Sequence, residues 1–407
     1  MLEVGIFLCH SQLLSDMLLP SLLGKMERQN EEQLRIWVNV GEASGDVYGE
    51  HLMRELKKLV PDCRFQGMGG ARMRAAGLET VGRAEELSIM GLTEALSHLP
   101  RIVRLLGRLR EAMRVFRPHV VVVVDCPDFH FRLVRMAGKL RVPVVYYVAP
   151  QAWAWRKNRV KFLRCFVDRL LCILPFEKQF FQAHGVAAEY VGHPLLNEID
   201  FEALRDLQPD QKVIGILPGS RKQEVSALLP VFAQAAQKIF CAYPDICFHL
   251  MLAPNIEQEL LERIWPGDIP LTVFPAENRH VGIRQCAFVM ASSGTATLEC
   301  ALLGTPTMVA YQFSGLTYFL GRLLVDVPYI ALPNLVLNEM VFPEFLQQNA
   351  NGEKLGRQGL EWLEQAEQLT AIREKLADLQ KLFGQKSAAA CVAEIVLEQA
   401  GAQKETK

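Results

Sequence analysis

From Leu34 onward, short apolar runs alternate with longer segments in which apolar residues recur every three or four positions. The apolar runs are short and nearly continuous, which is typical of strands that are buried on both faces of a parallel sheet. The longer segments have the periodicity of the helices that connect parallel strands. The pattern therefore predicts an α/β protein with parallel sheets.

The apolar runs form two series. The first series predicts strands at 35–40, 63–68, 119–125, 142–148, 169–174 and 188–192, and the second at 212–220, 247–253, 271–274, 286–292 and 306–311. The polar segment 192–211, which contains Pro194 and Pro209, has the composition of a connection between domains. We predict two successive Rossmann-like domains, at 34–205 and 206–350.

Both ends of the chain lie outside these domains. Residues 351–407 have one apolar helical face and predict a helical tail that packs on its own chain or on a partner's. Residues 1–33 are expected to be a poorly ordered extension or the result of a mis-assigned start, with Met26 as a natural first residue. A secretion signal is not expected, because the first charge is Glu3 and polar residues break the apolar run.

Composition narrows the class of protein. The 407 residues are 50% hydrophobic and carry a formal net charge of -1, so the whole chain has no charge bias toward nucleic acid. The ten cysteines include no C-x-x-C pair and are expected to be buried, reduced thiols of a cytoplasmic protein. No zinc or iron motif is present, and we expect no metal and no cofactor.

Two strand-to-helix junctions of the second series predict a nucleotide diphosphate site, because ligands of open α/β sheets bind beyond the carboxyl ends of strands. Gly219, Ser220 and Arg221 form a turn whose N–H groups and guanidinium suit a phosphate. The alternative is an exposed arginine at an ordinary helix cap.

The second of these junctions contains Ser293, Gly294 and Thr295, which supply hydroxyls and close backbone approach at the start of a helix. Glu299, one turn later, could accept hydrogen bonds from a ribose diol. The alternative is a Ser/Thr cap followed by a glutamate that the helix dipole favours. The two junctions together favour a nucleotide diphosphate.

In the first series, Asp125 ends a strand of valines, where burial can tune its pKa for general-base catalysis. The alternative is a structural role at the Pro127 turn. The turn GEASGD contributes Gly41, Glu42, Ser44 and Asp46 as candidates for the other wall of a cleft. The alternative is a helix cap, with Ser44 or Asp46 as the capping residue.

The segment 86–118 predicts a basic amphipathic helix. Between Leu87 and Arg117, six arginines are opposed by two glutamates, and apolar residues follow a helical period. Such a helix can lie on an anionic membrane. The alternative is a solvated face above a buried stripe. The predicted membrane face comprises Arg101, Arg104, Arg108, Arg110 and Arg114.

Eight motifs resemble the lipid-A-disaccharide synthase family when they are taken together and in order. They are GEASGD (41–46), ELSIMGLTEAL (86–96), D-x-P-D-F (125–129), APQAWAWR (149–156), LPFEKQFF (174–181), LPGSRKQEV (217–225), SGTATLEC (293–300) and LPNLVLNEMVFPEFLQ (332–347). The resemblance covers Leu34 to about Gln348, and it has no counterpart for residues 1–33.

The resemblance implies a GT-B glycosyltransferase, in which two Rossmann-like domains face each other across a cleft and no metal is required. It implies inverting transfer from UDP-2,3-diacylglucosamine to 2,3-diacylglucosamine 1-phosphate, which gives a β(1→6) disaccharide and UDP for lipid A biosynthesis. It also implies a peripheral enzyme on the cytoplasmic face of the inner membrane of a Gram-negative cell. The resemblance further implies a homodimer through the C-terminal tail.

The resemblance assigns roles to individual residues. Asp125 becomes the general base and Arg221 the residue that stabilises charge on the departing diphosphate. Ser293, Gly294 and Thr295 would bind the diphosphate and Glu299 the ribose, with Asn334 on the same donor side. Two alternatives remain: a non-hydrolysing UDP-sugar 2-epimerase of the same architecture, and a nucleotide-sugar sensor or scaffold that has no catalytic use for Asp125.

Overall fold

The structure is a computed structural model that describes residues 33–88, 99–251, 258–312, 327–384 and 387–405. The first domain contains a parallel sheet with the spatial order β3-β2-β1-β4-β5-β6-β7. Its strands are β1 (Arg35–Val40), β2 (Arg64–Gly69), β3 (Leu78–Arg83), β4 (Val120–Val124), β5 (Val144–Tyr147), β6 (Arg169–Cys172) and β7 (Ala188–Tyr190). This is the order of a doubly wound sheet.

Helices cover both faces of this sheet. They are α1 (Ala43–Leu59), α2 (Ala71–Ala75), α3 (Glu85–Ser88), α4 (Leu99–Phe116), α5 (Pro127–Lys139), α6 (Arg159–Phe166) and α7 (Pro175–Ala183). The five valines of β4 are all buried, and alternate members belong to the core clusters on opposite faces of the sheet. Burial on both faces explains why the strand is a continuous apolar run.

The second domain repeats this organisation, with the parallel order β10-β9-β8-β11-β12-β13. Its strands are β8 (Asp210–Leu217), β9 (Cys247–Met251), β10 (Leu271–Phe274), β11 (Cys286–Ser292), β12 (Thr307–Tyr311) and β13 (Glu344–Leu346). Its helices are α8 (Lys222–Ala242), α9 (Gln258–Ile264), α10 (Arg279–Arg284), α11 (Thr295–Leu302) and α12 (Leu332–Leu337). Short 3₁₀ helices lie at Pro194–Asn197, Ala276–Asn278 and Gln347–Asn349.

The prediction of two Rossmann-like domains is confirmed. Each predicted strand is present: those at 35–40, 271–274 and 286–292 match at both ends, and the others have shifted ends. Two strands, β3 and β13, were not predicted. Both lie at the edge of a sheet, and neither is a continuous apolar run: β3 reads LETVGR and β13 has only three residues. The prediction of residues 1–33 as an extension lies almost wholly outside the described residues.

The C-terminal helices are α13 (Gly352–Glu364), α14 (Ala366–Phe383) and α15 (Ala388–Glu405). These three helices do not pack together in one place. Helix α13 packs on α8, and α14 packs on α11 of the second domain. Helix α15 returns to the first domain, where Val392 and Val396 share a core with Val38 and Leu52. The last helix therefore packs on its own chain and links the two domains.

Among the described helices, Lys222–Ala242 is long and apolar enough to cross a membrane. This helix is α8, and its Leu228, Leu229 and Phe232 side chains are buried in the core of the second domain. A core helix that packs on a sheet has the same length and composition as a membrane span, so these properties are weak evidence for one.

Candidate active site

In the first domain, the two turns that the sequence singled out touch each other. Strands β1 and β4 are neighbours, and the sheet continues in opposite directions from this pair. Ligands of doubly wound sheets bind at this switch point, beyond the carboxyl ends of the strands. A Cβ atom added to Gly41 would lie 2.6 Å from Cys126 Sγ, so the turn after β1 needs glycine to pack against the turn after β4.

The backbone of Asp125 is held in an unusual conformation. Asp125 and the next residue, Cys126, have φ angles of 51° and 45°, in the left-handed region. The carbonyl oxygen of Asp125 accepts hydrogen bonds from His130 Nδ1 at 2.6 Å and from Tyr146 Oη at 2.7 Å. These two donors fix the turn in the geometry that directs Asp125 beyond the sheet.

His130 stabilises this turn with its imidazole ring in the neutral form. It is fully buried, and burial lowers its pKa to about 4. Because the backbone carbonyl of Asp125 can only accept, Nδ1 carries the proton and Nε2 accepts from Asn39 Nδ2 at 3.0 Å. Asn39 and Tyr146 were not predicted as site residues, because each lies in an apolar strand that has the pattern of a buried core.

The surroundings of the Asp125 side chain raise the pKa of its carboxyl group. Burial is the main reason that its pKa rises from 3.8 to about 6, and the nearby charge of Glu42 adds to the rise. Arg159 acts in the opposite direction and favours the ionised form. The carboxylate is therefore mainly ionised at neutral pH and close to the pH at which it can accept a proton.

A cationic group lies beside this turn. Asp128 Oδ1 is 2.9 Å from Arg156 Nη1 and 2.7 Å from Arg159 Nη2. Arg159 is buried, and its guanidinium lies 5.0 Å from the centroid of the Trp155 ring. Trp155 and Arg156 belong to the motif APQAWAWR, Asp128 belongs to D-x-P-D-F, and Arg159 lies three residues after the first motif. The structure brings these parts of the chain together.

A second carboxyl group of the first domain was not singled out by the sequence analysis. Glu177 is almost fully buried, and burial raises its pKa to about 7. Its Oε1 accepts from Trp153 Nε1 at 2.9 Å and its Oε2 from the Leu174 amide at 3.1 Å. It therefore ties the APQAWAWR loop to the start of α7.

Asp46 was predicted either to line the cleft or to cap α1, and its contacts differ from both predictions. Its carboxylate is buried and accepts from the amides of Gly70, Arg72 and Met73 at 2.7, 2.9 and 3.2 Å. It therefore stabilises the start of α2. Glu42, not Ser44 or Asp46, occupies the N-cap position of α1, and Glu42 and Ser44 are both exposed.

In the second domain, the turn Gly219–Arg221 lies at the corresponding switch point between β8 and β11. Gly219 has φ of 114°, and a Cβ atom there would lie 2.8 Å from Glu224 Oε2 and 3.2 Å from Ser292 Oγ. Arg221 is the N-cap of α8, one residue before the helix begins at Lys222. Its side chain is 79% exposed and donates from Nη1 to Glu224 Oε1 at 2.9 Å.

The neighbouring turn leaves space at the N-terminus of α11. Gly294 is the N-cap of this helix, and a Cβ atom added to it would meet no atom within 4 Å. The Ser293 amide donates to the Ala310 carbonyl at 3.2 Å, and Thr295 is exposed. Free helix N–H groups that face open space suit an anion.

Glu299 lies one turn into α11 and is buried. Its Oε1 accepts from Arg279 Nε at 2.6 Å and from His280 Nε2 at 2.5 Å. Burial acts to raise the pKa of Glu299, but the hydrogen bonds and charges of His280 and Arg279 outweigh burial and lower it. The carboxylate is therefore ionised and oriented by two donors.

Asn334 is a structural residue, which differs from its predicted place on the donor side. It is fully buried, and its Oδ1 accepts from the amides of Val341 and Phe342 at 3.0 and 2.8 Å. Its Nδ2 donates to the Phe342 carbonyl at 2.7 Å and to Glu344 Oε1 at 2.9 Å. These four bonds use both donors and both acceptor positions of the amide and hold the loop before β13.

The Asp125 turn of the first domain and the Glu299 region of the second domain lie near the same side chain. Tyr48, near the start of α1, has its phenol pKa raised by burial first, and then by the charges of Glu198, Asp125 and Glu299. Asp125 belongs to the first domain and Glu299 to the second, so both carboxylates lie within electrostatic range of one side chain. The two domains therefore place these carboxylates on opposite sides of one cleft.

The predicted amphipathic helix has no free apolar stripe in its described part. Within α4, Leu105, Leu106, Leu109 and Met113 are buried in the core of the first domain. The arginines of the helix are exposed. The same helical period serves core packing and membrane binding, so the pattern could not separate them. The apolar residues of 89–98 lie outside the described residues.

Two doubly wound domains that face each other across a cleft define the GT-B class of fold, and solved structures agree. The UDP-GlcNAc 2-epimerase of Neisseria meningitidis bound to UDP-GlcNAc covers 90% of this chain and 100% of its own, with a TM-score of 0.62 and 13% identity. The calicheamicin glycosyltransferase CalG4 has a TM-score of 0.60 and 16% identity, covering 91% and 99%. At these identities the likeness shows the fold alone.

Sequence comparison identifies the family within this class. The profile described as lipid-A-disaccharide synthetase matches residues 36–396. The lipid-A-disaccharide synthase of Nitrosococcus oceani is 38% identical over 84% of this chain and 91% of its own length. That of Syntrophotalea carbinolica is 39% identical over 89% and 95%. The chain belongs to the lipid-A-disaccharide synthetase family and is a glycosyltransferase.

Proposed function

We propose that this chain transfers 2,3-diacylglucosamine from UDP-2,3-diacylglucosamine to 2,3-diacylglucosamine 1-phosphate, forming a β(1→6) disaccharide 1-phosphate and UDP. Family membership over nearly the whole chain supports this reaction. The position and raised pKa of Asp125 support its mechanism. The epimerase alternative is supported only by distant structural neighbours.

In this mechanism, Asp125 accepts the proton of the acceptor 6-hydroxyl as the oxygen attacks C1 of the donor sugar. The bond between C1 and the diphosphate oxygen breaks on the opposite face, which inverts C1, and UDP leaves with the bonding electrons. The two hydrogen bonds that His130 and Tyr146 donate to the Asp125 carbonyl oxygen position Asp125 for this proton transfer.

The second domain, which we assign to 206–350, binds the donor. The open N-terminus of α11 at Ser293, Gly294 and Thr295 receives the diphosphate. Arg221 also binds the diphosphate: its guanidinium leaves the exposed ion pair with Glu224 and donates to phosphate oxygens. An ion pair that is exposed to water costs little free energy to break. Glu299 is a candidate for the ribose hydroxyls.

The test is the release of UDP from the purified protein with both acylated glucosamine substrates. UDP should appear only when the acceptor is present, together with one disaccharide product. A 2-epimerase would instead interconvert UDP-GlcNAc and its 2-epimer without any acceptor. UDP release that does not depend on the acceptor would refute the proposed reaction.

We propose peripheral binding to the cytoplasmic face of the inner membrane through the exposed arginines of α4. Changing Arg101, Arg104 and Arg110 to glutamate should lower cosedimentation with anionic vesicles, because each cation near such a surface contributes about 1 kcal/mol. The melting temperature should stay unchanged. Equal vesicle binding by the variant and the parent protein would contradict this proposal.

A homodimer through the C-terminal tail is also proposed. Because α15 covers α1 of its own chain, such a dimer would form by exchange of α15 between two chains. The molar mass in solution, measured by light scattering, tests this prediction. A monomer at all concentrations would contradict it.

A further inference from the structure

A second concave site lies in the first domain, away from the active-site cleft. It is a cleft with a volume of about 1190 Å³. Arg35 and Arg64, which line it, are the first residues of β1 and β2, and Arg117 follows the end of α4. It therefore lies at the amino ends of the strands, whereas the Asp125 turn follows their carboxyl ends.

The lining of this cleft is strongly basic. Among the described residues that line it, five are arginines and one is a glutamate. Each guanidinium offers a planar fork of donors that fits a phosphate group in two places at once. The arginines are Arg35, Arg64, Arg108, Arg114 and Arg117, and the glutamate is Glu111.

Two of these arginines form solvent-exposed ion pairs that are weak enough to exchange. Arg64 Nη2 lies 2.6 Å from Glu79 Oε1, with both side chains more than 40% exposed. Arg114 Nη2 lies 2.7 Å from Glu111 Oε1, with both side chains 63% exposed. Pairs in such contact with water contribute at most about 1 kcal/mol, so a phosphate can replace the carboxylates at small cost.

Incomplete hydrogen bonding and an exposed apolar side chain also point to a ligand. Gln66 lines the cleft, and its Oε1 is buried without a hydrogen-bond partner. Its Nε2 donates to Glu79 only at 3.5 Å, so the amide can rotate at small cost. Val115, on the same wall, is 69% exposed and offers apolar contact.

We propose that this arginine cleft is a second anion site that binds a phosphate ester. The arginines bind the phosphate, and Gln66 completes its hydrogen bonds against the ester group. The ester can be a soluble metabolite or the headgroup of a phospholipid, and the two share this chemistry. The cleft takes no part in the proposed transfer reaction, so it is tested separately from that reaction.

The experiment compares the full chain with two double variants of equal charge. Arg64→Gln with Arg117→Gln removes two cleft arginines, and Arg72→Gln with Arg205→Gln removes two exposed arginines elsewhere. Saturating UDP occupies the donor site throughout. Glycerol phosphate is titrated by calorimetry at constant ionic strength, and binding to phosphatidylglycerol vesicles is measured against phosphatidylcholine vesicles. These probes present one headgroup in soluble and lipid form.

The cleft variant should bind at least one probe about tenfold more weakly than the control variant, as expected for lost charged hydrogen bonds. A loss confined to glycerol phosphate identifies a soluble ester as the ligand. A loss confined to vesicles identifies a phospholipid headgroup, and a loss in both shows that the phosphate itself is recognised. Equal binding by the two variants in both assays would overturn the proposal. Melting curves confirm that each variant is folded.

Discussion

Replacing Asp125 by asparagine is expected to abolish most activity and also to stabilise the folded protein at neutral pH. The pKa of this carboxyl is raised from 3.8 to about 6, chiefly by burial. A folded state that raises the pKa of an acid is destabilised once that acid ionises. Asparagine is never ionised, and it can still accept the hydrogen bond from the Cys126 amide.

The magnitude follows from the difference between the two pKa values. At 1.36 kcal/mol for each pH unit, the ionised carboxylate costs about 3 kcal/mol at pH 7.5, as an upper bound. Partial exposure of the side chain lowers this to roughly 1–3 kcal/mol. The stability that protonated Asp125 contributes is present below pH 4 and is lost as the pH rises to 6. The gain from asparagine at pH 4.5 should therefore fall to about a third of its value at pH 7.5, which is at most about 1 kcal/mol.

The assay is urea unfolding of both proteins at pH 7.5 and 4.5, together with initial rates. The kcat of the variant should fall by roughly 10²- to 10⁴-fold, the range for a lost general base, while stabilisation by UDP is unchanged. For the parent enzyme, activity should decline below an apparent pKa near 6. A variant that is less stable at pH 7.5, or whose gain does not depend on pH, would refute this account of Asp125.

Two further predictions concern residues that support the site. Tyr146→Phe removes one of the two hydrogen bonds to the Asp125 carbonyl, so kcat should fall about tenfold with an unchanged KM for the donor. The adjacent Tyr147→Phe should retain activity. Equal losses of activity in the two variants would contradict a positioning role for the Tyr146 hydroxyl. Asp46→Ala should lower the free energy of unfolding by roughly 2–4 kcal/mol, because three amides lose their acceptor, whereas exposed Ser44→Ala should change it little. Equal melting temperatures for these two variants would contradict the capping role.

The residues predicted for the site differ in their surroundings for a physical reason. Asp125, Gly219 and Gly294 follow apolar strands, and the carboxyl ends of parallel strands must meet at one edge, so strand order alone places them at the edge where ligands of such sheets bind. Asp46 and Asn334 lie in motifs of the same family, yet both bind backbone amides. Sequence identifies such a residue without showing which partner it takes.

The sequence by itself determined the α/β class, the two repeated domains, the family, and the turns that we propose for the site, because burial of strands and turn formation depend on local residue pattern. Only the tertiary structure decided what each polar side chain contacts. It placed His130 and Tyr146 on the Asp125 carbonyl, buried the apolar face of α4, and returned α15 to the first domain. These outcomes depend on contacts between distant parts of the chain, which local pattern does not encode.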